Sequence, residues 1–258
     1  MTVDNRLEDR LALITGASGG IGSSCARTLW ARGMALALTF STGKAQLDEL
    51  IRELESLDLG GRGRRQISAH QANLESTGDI DRLFGEVQQA HGKRPDVLVA
   101  NAGYAKVIPD IADISLEEFD RTMAVNLRAT FLLVKLALPA MMDQGWGRIV
   151  FISSIAAEGG GINGCHYAAS KAGMNGMMRN LATKLARHGI TVNSLAPALI
   201  GATGLIPDES MLKGTLGDVR NIPVGRLGTP QECANVVEMI CTTGYLTGQN
   251  ILLTGGLK

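Results

Sequence analysis

The sequence has no excess of either charge, since 25 basic and 25 acidic residues cancel. Nucleic acid and anionic membranes recruit partners with a basic surplus, so neither is expected here. A secretion or transit signal is also missing: the opening residues, MTVDNRLEDR, mix both signs and hold no apolar run. No stretch of 18 apolar residues occurs. The nearest, residues 131–142, is interrupted by Lys135 and Pro139 and reads as too short to span a bilayer. The four cysteines, Cys25, Cys165, Cys233 and Cys241, show no CxxC or metal-ligand spacing. No metal site is expected, and the thiols read as reduced and mostly buried, in a cytoplasmic protein. Repeats and linkers are lacking too. The one biased segment, residues 60–65 (GGRGRR), reads as an exposed basic turn.

What remains is an alternation. Apolar runs at residues 11–15, 34–40, 66–72, 96–100, 148–153, 190–195 and 249–253 read as strands. Helical stretches lie between them at 21–32, 44–56, 79–91, 115–142 (with a break expected near Asn126), 167–188 and 230–240. Strands that alternate with helices imply βαβ units and a parallel sheet, and near-continuous apolar strands imply helices on both faces. At 258 residues and 45% hydrophobic content, the chain suits one domain spanning 1–258.

The first strand runs into Thr15-Gly16-Ala17-Ser18-Gly19-Gly20-Ile21-Gly22 and then a helix. A diphosphate needs backbone N–H groups at close range and a helix N-terminus facing its charge. Glycines at 16, 20 and 22 permit the turn and the close approach. Ser18 and Ile21 lie in the same loop. A second pattern is Tyr167 and Lys171, one helical turn apart and so on one helix face. A free phenol titrates near about 10, and a neighbouring ammonium together with an oxidised nicotinamide favours the phenolate. Such a tyrosine can give a proton to a nascent alkoxide or take one back.

The spacing TGxxxGxG resembles the short-chain dehydrogenase/reductase family, and further motifs follow in the family's order. Asn101-Ala102-Gly103 follows the fourth strand, Asn126 lies in the next helix, and Ser153-Ser154 closes the fifth strand. Tyr167-Ala168-Ala169-Ser170-Lys171 gives YxxxK, and Tyr245-Leu246-Thr247-Gly248-Gln249 resembles YxTGQ. Ser154, 13 residues before Tyr167, matches the family's interval better than Ser153. The resemblance covers essentially the whole chain. It implies a three-layer, doubly wound Rossmann-type α/β fold with a seven-stranded parallel sheet. It further implies Asn126, Ser154, Tyr167 and Lys171 as catalytic residues, with Lys171 also on the nicotinamide ribose, Ser154 on the substrate carbonyl, and Asn126 organising a helix and a water relay.

By the same resemblance a dinucleotide would touch Asn73 and Leu74 after strand three, Asn101, Ala102 and Gly103 after strand four, and Pro197, Ile200 and Thr203 after strand six. Asn73 stands where the family carries an adenine-contacting Asp. Thr203 falls one residue beyond the family's threonine. NAD and NADP are separated at the end of strand two, where an acid accepts from the ribose 2′-OH and repels a 2′-phosphate. Here Phe40 takes that place, followed by Ser41, Thr42 and Lys44, which can hold a phosphate. NADP(H) is therefore favoured over NAD(H), although Gly19 replaces the loop arginine of many NADP-dependent relatives.

Residues 198–220 resemble the family's substrate lid, with Leu199, Ile200, Leu205, Ile206, Met211 and Leu212 as an apolar lining. Residues 103–107 and 159–165 are expected as further walls. The expected activity is NADPH-dependent reduction of a ketone or 3-oxoacyl thioester, with acyl carrier protein a candidate partner through Arg128, Arg179 and Arg187. The alternatives are an NAD-dependent secondary-alcohol dehydrogenase and a catalytically silent nucleotide-binding regulator. His166, about 100° round the helix from Tyr167, reads as structural or pocket-lining. His70, His91 and His188 read as structural or exposed, and residues 174–178, rich in Met, as packing. The family pattern implies a homotetramer.

Overall fold

The computed structural model describes residues 4–57, 65–159, 162–206, 208–215 and 217–257. Seven parallel strands form one sheet in the order β3-β2-β1-β4-β5-β6-β7. These are β1 (Leu11–Ile14), β2 (Ala35–Phe40), β3 (Ile67–Gln71), β4 (Val97–Ala100), β5 (Gly147–Ile152), β6 (Ile190–Pro197) and β7 (Asn250–Leu253). The helices are α1 (Gly20–Ala31), α2 (Lys44–Ser56), α3 (Thr77–His91), α4 (Leu116–Met123), α5 (Ala129–Gln144), α6 (Cys165–Leu185) and α7 (Pro230–Thr242). This is the doubly wound arrangement expected.

Every residue of β1, β4, β5 and β6 is buried, because helices cover both sheet faces. Successive side chains feed opposite layers. Ala12 and Ile14 join Leu29, Leu47 and Val237 from α1, α2 and α7. Leu11 and Leu13 join Phe84, Leu133 and Met178 from α3, α5 and α6. Local chemistry sets the helix ends. Ser76 caps α3 by accepting from the Asp79 N–H, and Gly92 ends it at φ +70°. Thr229 and Glu232 form a reciprocal capping box on α7, with Pro230 at its start.

The expected break near Asn126 is instead a wide turn. Residues Ala124–Arg128 adopt π-helical geometry, and one continuous helix runs over Leu116–Gln144. That helix has 29 residues and is, by length and composition, long and apolar enough to cross a membrane, which the interrupted run at 131–142 did not suggest. In the fold its Leu133, Val134, Ala137 and Met141 are buried against the sheet.

Of the basic segment at 60–65, residues 60–64 lie outside the described residues. Arg65 is not a free surface charge: its guanidinium stacks on the Trp30 ring at 4.2 Å and donates to the Trp30 carbonyl. Cys25, Cys233 and Cys241 are buried, Cys165 is exposed, and all four are free thiols. Met174 and Met178 pack in the core as expected.

Candidate active site

Strand order reverses between β1 and β4, and open parallel sheets place their crevice at the carboxyl ends of such strands. A cleft of about 620 Å³ lies there. Apart from Lys44, every residue expected to meet a dinucleotide lines it: Gly16, Ser18, Gly20, Ile21 and Gly22; Ser41 and Thr42; Asn73 and Leu74; Asn101, Ala102 and Gly103; Pro197, Ile200 and Thr203; Tyr167 and Lys171. Ser154 lines it too, whereas Asn126 stands behind the wall.

The glycine loop is tightly bound from below. Gly16 has φ +65° and donates to Thr39 Oγ1 at 3.1 Å. A Cβ on Gly22 would fall 2.4 Å from the Gly16 carbonyl oxygen. Asn101 spends its amide on this loop, donating to the carbonyls of Thr15 (2.8 Å) and Gly16 (3.2 Å). No side chain caps α1 at Gly19, so the amides of its first turn are left for a ligand at the cleft. A close-packed cradle ending in an uncapped helix N-terminus fits a diphosphate.

The chemistry end is built by β5 and α6. Lys171 is 3% exposed and its Nζ donates to the Ile152 carbonyl at 2.8 Å. Burial brings its pKa down to about 8. The ammonium lies 5.7 Å from the centroid of the Tyr167 ring. Tyr167 is buried, and this pushes its phenol above the usual value. A hydrogen bond with Ser154 opposes the rise. Desolvation governs the phenol in this structure and raises it, where the sequence pattern suggested a lowering by Lys171 and an oxidised nicotinamide together. Of the two serines, Ser153 turns its hydroxyl to the Lys171 carbonyl at 3.4 Å. Ser154 meets the phenol and accepts from the Ala156 N–H at 3.2 Å.

Asn126 is wholly buried and joins three segments. Its Oδ1 accepts from the Tyr104 N–H at 2.7 Å, and its Nδ2 donates to the Tyr104 carbonyl at 2.9 Å and to Ser170 Oγ at 3.0 Å. Ser170 Oγ in turn donates to the Tyr167 carbonyl at 2.7 Å. Asn126 thus ties the loop after β4 to the backbone of Tyr167, and the π-turn is where the helix carries it. A Cβ on Gly103 would lie 3.4 Å from both Asn126 Oδ1 and Lys171 Nζ, so that glycine separates the two.

This geometry matches the family pattern, and comparison with known proteins decides the matter. The family model for short chain dehydrogenases matches residues 10–210. The chain is a short-chain dehydrogenase. It is 37% identical to "(3R)-3-hydroxyacyl-CoA dehydrogenase" of Mus musculus, over 98% of this chain and 97% of the relative. It is 35% identical to "3-oxoacyl-[acyl-carrier-protein] reductase FabG" of Rickettsia bellii, over 97% and 98%, and 32% identical to the protein of that name from Aquifex aeolicus, over 98% of each.

Several expectations for this short-chain dehydrogenase need correction. Lys44 does not line the cleft; its Nζ pairs with Asp48 at 2.6 Å, four residues along α2. Thr203 lines the cleft, but its hydroxyl closes a local turn by donating to the Ile200 carbonyl (3.0 Å) and accepting from the Ile206 N–H (3.1 Å). Asn73 uses Oδ1 to accept from the Glu75 N–H at 3.0 Å, so its amide nitrogen is the group left for a base. Of the expected lid lining, Ile200, Leu205 and Ile206 face the cleft, while Leu199 and Leu212 do not line it. The Met211 side chain lies outside the described residues, as do residues 160 and 161 of one expected wall; Gly103, Tyr104 and Ala105 form the other.

His166 is fully buried and does not line the cleft. His70 and His91 meet at Ser68 Oγ, 2.7 Å from each Nε2, with Glu86 3.0 Å from His70 Nδ1. Arg128 donates to the Glu75 carbonyl. Tyr104 falls within the wall expected at residues 103–107, whereas Ser170, Thr39, Glu75 and Arg121 carried no sequence signal and act through tertiary contacts.

Proposed function

We propose that the chain reduces a 3-oxoacyl thioester, or a ketone of similar shape, with NADPH, reversibly to the secondary alcohol. The observation that carries this reading is the convergence of Ser154, Tyr167 and Lys171 at one end of a cleft whose other end is the glycine cradle. The activities named for the relatives point to acyl thioesters, carried on CoA or on acyl carrier protein. Ile200, Leu205 and Ile206 supply an apolar wall suited to an acyl chain.

A nicotinamide dinucleotide held along the cleft by the glycine cradle and Lys171 would supply or accept the hydride. Ser154 donates a hydrogen bond to the substrate carbonyl oxygen and orients it towards the Tyr167 hydroxyl. As the carbonyl carbon gains hydride, the Tyr167 O–H bond breaks and its proton passes to the developing alkoxide. The raised phenol pKa keeps Tyr167 protonated, which is the state reduction requires. The Lys171 ammonium steadies the phenolate left behind, and Asn126 holds the backbone that carries both groups.

Lys171 gives a pH dependence. Its pKa lies below the ordinary lysine value, at about 8, so the cation is present below that pH and lost above it. The kcat/KM for reduction reports the free enzyme and falls as pH rises through about 8. A profile that stays level well above this pH would show that the Lys171 cation does not steady the phenolate.

NADPH is preferred because no acid stands at the end of β2 and Ser41 and Thr42 line the cleft beside Phe40. One observation favours NADH: among the described residues the only Lys or Arg lining the cleft are Arg121 and Lys171. Turnover of the CoA thioester of 3-oxobutanoate with each cofactor separates them. The expected kcat/KM ratio is at least about tenfold for NADPH, or ~1.4 kcal/mol; the reverse preference overturns the cofactor assignment. Exposed Phe131 and Met142 on α5 and Leu252 on β7 suit a homotetramer.

A further inference from the structure

We propose that Glu158 is a positioning residue that holds the Ser154 segment against the Tyr167–Lys171 helix. The inference rests on the reaction proposed above. Ser154 opens a single 3-10 turn, Ile155–Ala157, and Glu158 follows it. The Glu158 Oε1 accepts from Asn175 Nδ2 at 3.2 Å and from Asn250 Nδ2 at 2.7 Å. Asn175 is 2% exposed and stands four residues beyond Lys171, so Tyr167, Lys171 and Asn175 succeed one another by helical turns on one face of α6. Asn250 opens β7. One carboxylate oxygen therefore joins the segment carrying Ser154, the helix carrying Tyr167 and Lys171, and the last strand.

The two amides depend on it. Among the described residues Asn175 Oδ1 and Asn250 Oδ1 are buried without partners, so the donors directed at Glu158 orient both side chains. Among the described residues the other side-chain ties between this segment and α6 are Lys171 Nζ to the Ile152 carbonyl, Ser153 Oγ to the Lys171 carbonyl and the Ser154–Tyr167 hydrogen bond, none of them beyond Ser154 in the chain. Glu158 supplies the tie after it. Without that tie, no side-chain hydrogen bond among the described residues anchors the chain beyond Ser154 to α6, and the hydrogen bond that opposes the rise of the Tyr167 phenol loosens.

Kinetics in both directions on the full chain test this. Glu158→Ala lowers kcat roughly tenfold with KM for cofactor unchanged, against a loss of about 10² for a full 1 Å misplacement. The rise of oxidative kcat with pH, which follows the Tyr167 phenolate, moves to higher pH. Glu158→Gln keeps an oxygen that accepts from both amides and restores kcat and profile. Wild-type kcat and profile in Glu158→Ala overturn the proposal, as does a Glu158→Gln enzyme as impaired as Glu158→Ala. Should Glu158→Ala fail to fold, Asn175→Ala reads the same tie from α6: reduced kcat supports it, and wild-type kcat overturns it. Tyr167→Phe is run alongside. If that variant keeps full turnover, the reaction assignment fails; if it loses turnover while Glu158→Ala does not, only the positioning role fails.

Discussion

Tyr167→Phe lowers kcat for thioester reduction by about 10²–10⁴, the range that a positioned acid contributes, which corresponds to roughly 3–5 kcal/mol of barrier. The substitution removes one oxygen and keeps the ring. Tyr167 is 6% exposed, so the ring's packing is retained and the fold is expected to persist. The loss is confined to the hydroxyl that meets Ser154 and stands beside Lys171. Dinucleotide binding is retained, since the glycine cradle and the Lys171 ammonium are untouched. Steady-state turnover, a thermal melt and a cofactor titration by fluorescence together check the three parts. Retained turnover would show that another group delivers the proton, and a collapsed melt would show that the hydroxyl serves the fold instead. The silent-regulator alternative makes the opposite forecast, because a protein without chemistry has no turnover for the substitution to remove.

The strands and helices were legible because burial on both faces leaves a simple imprint. Residues 11–15 and 96–100 are apolar throughout most of their length, and they became β1 and β4 at the centre of the sheet. Residues 44–56 carry Leu47, Leu50 and Leu54 at helical spacing and became α2 with both bounds as expected. The turn at Asn126 was legible as an irregularity but not as a bulge. Its shape depends on Tyr104, 22 positions away, whose backbone both gives to and takes from the amide. Positions of the reacting residues were legible from spacing, yet their electrostatics were not. One helical turn places Lys171 near Tyr167, but desolvation, which decides the sign of the phenol's shift, depends on what covers it. Lys44 shows the same limit on the surface. The sequence leaves open whether it faces a phosphate or Asp48, since both lie within a lysine's reach.

The glycine loop yields the second large effect, and it separates a glycine the motif fixes, Gly22, from one it leaves variable, Gly19. A Cβ on Gly22 would lie 2.4 Å from the Gly16 carbonyl oxygen, 2.8 Å from Asn101 Nδ2 and 2.9 Å from Ala17 Cα. Two of these are backbone atoms, and the third is held by bonds to Thr15 and Gly16, so nothing nearby can swing aside. Gly22→Ala must displace the whole loop. Overpacking of this kind costs about 3 kcal/mol, or a fall in Tm of roughly 6–12 °C for a chain near this size. The displaced loop also moves the first amides of α1 away from the diphosphate, so cofactor affinity falls with stability. Gly19 is the control in the same loop. Its φ is −87°, which any residue adopts, and the nearest atom to an added Cβ is the Gly16 oxygen at 3.4 Å. Gly19→Ala therefore leaves Tm within about 2 °C, the size of a surface substitution. Equal melts for the two variants would mean that the close approach at Gly22 does not constrain the loop, and the cradle would lose its structural basis as a diphosphate site.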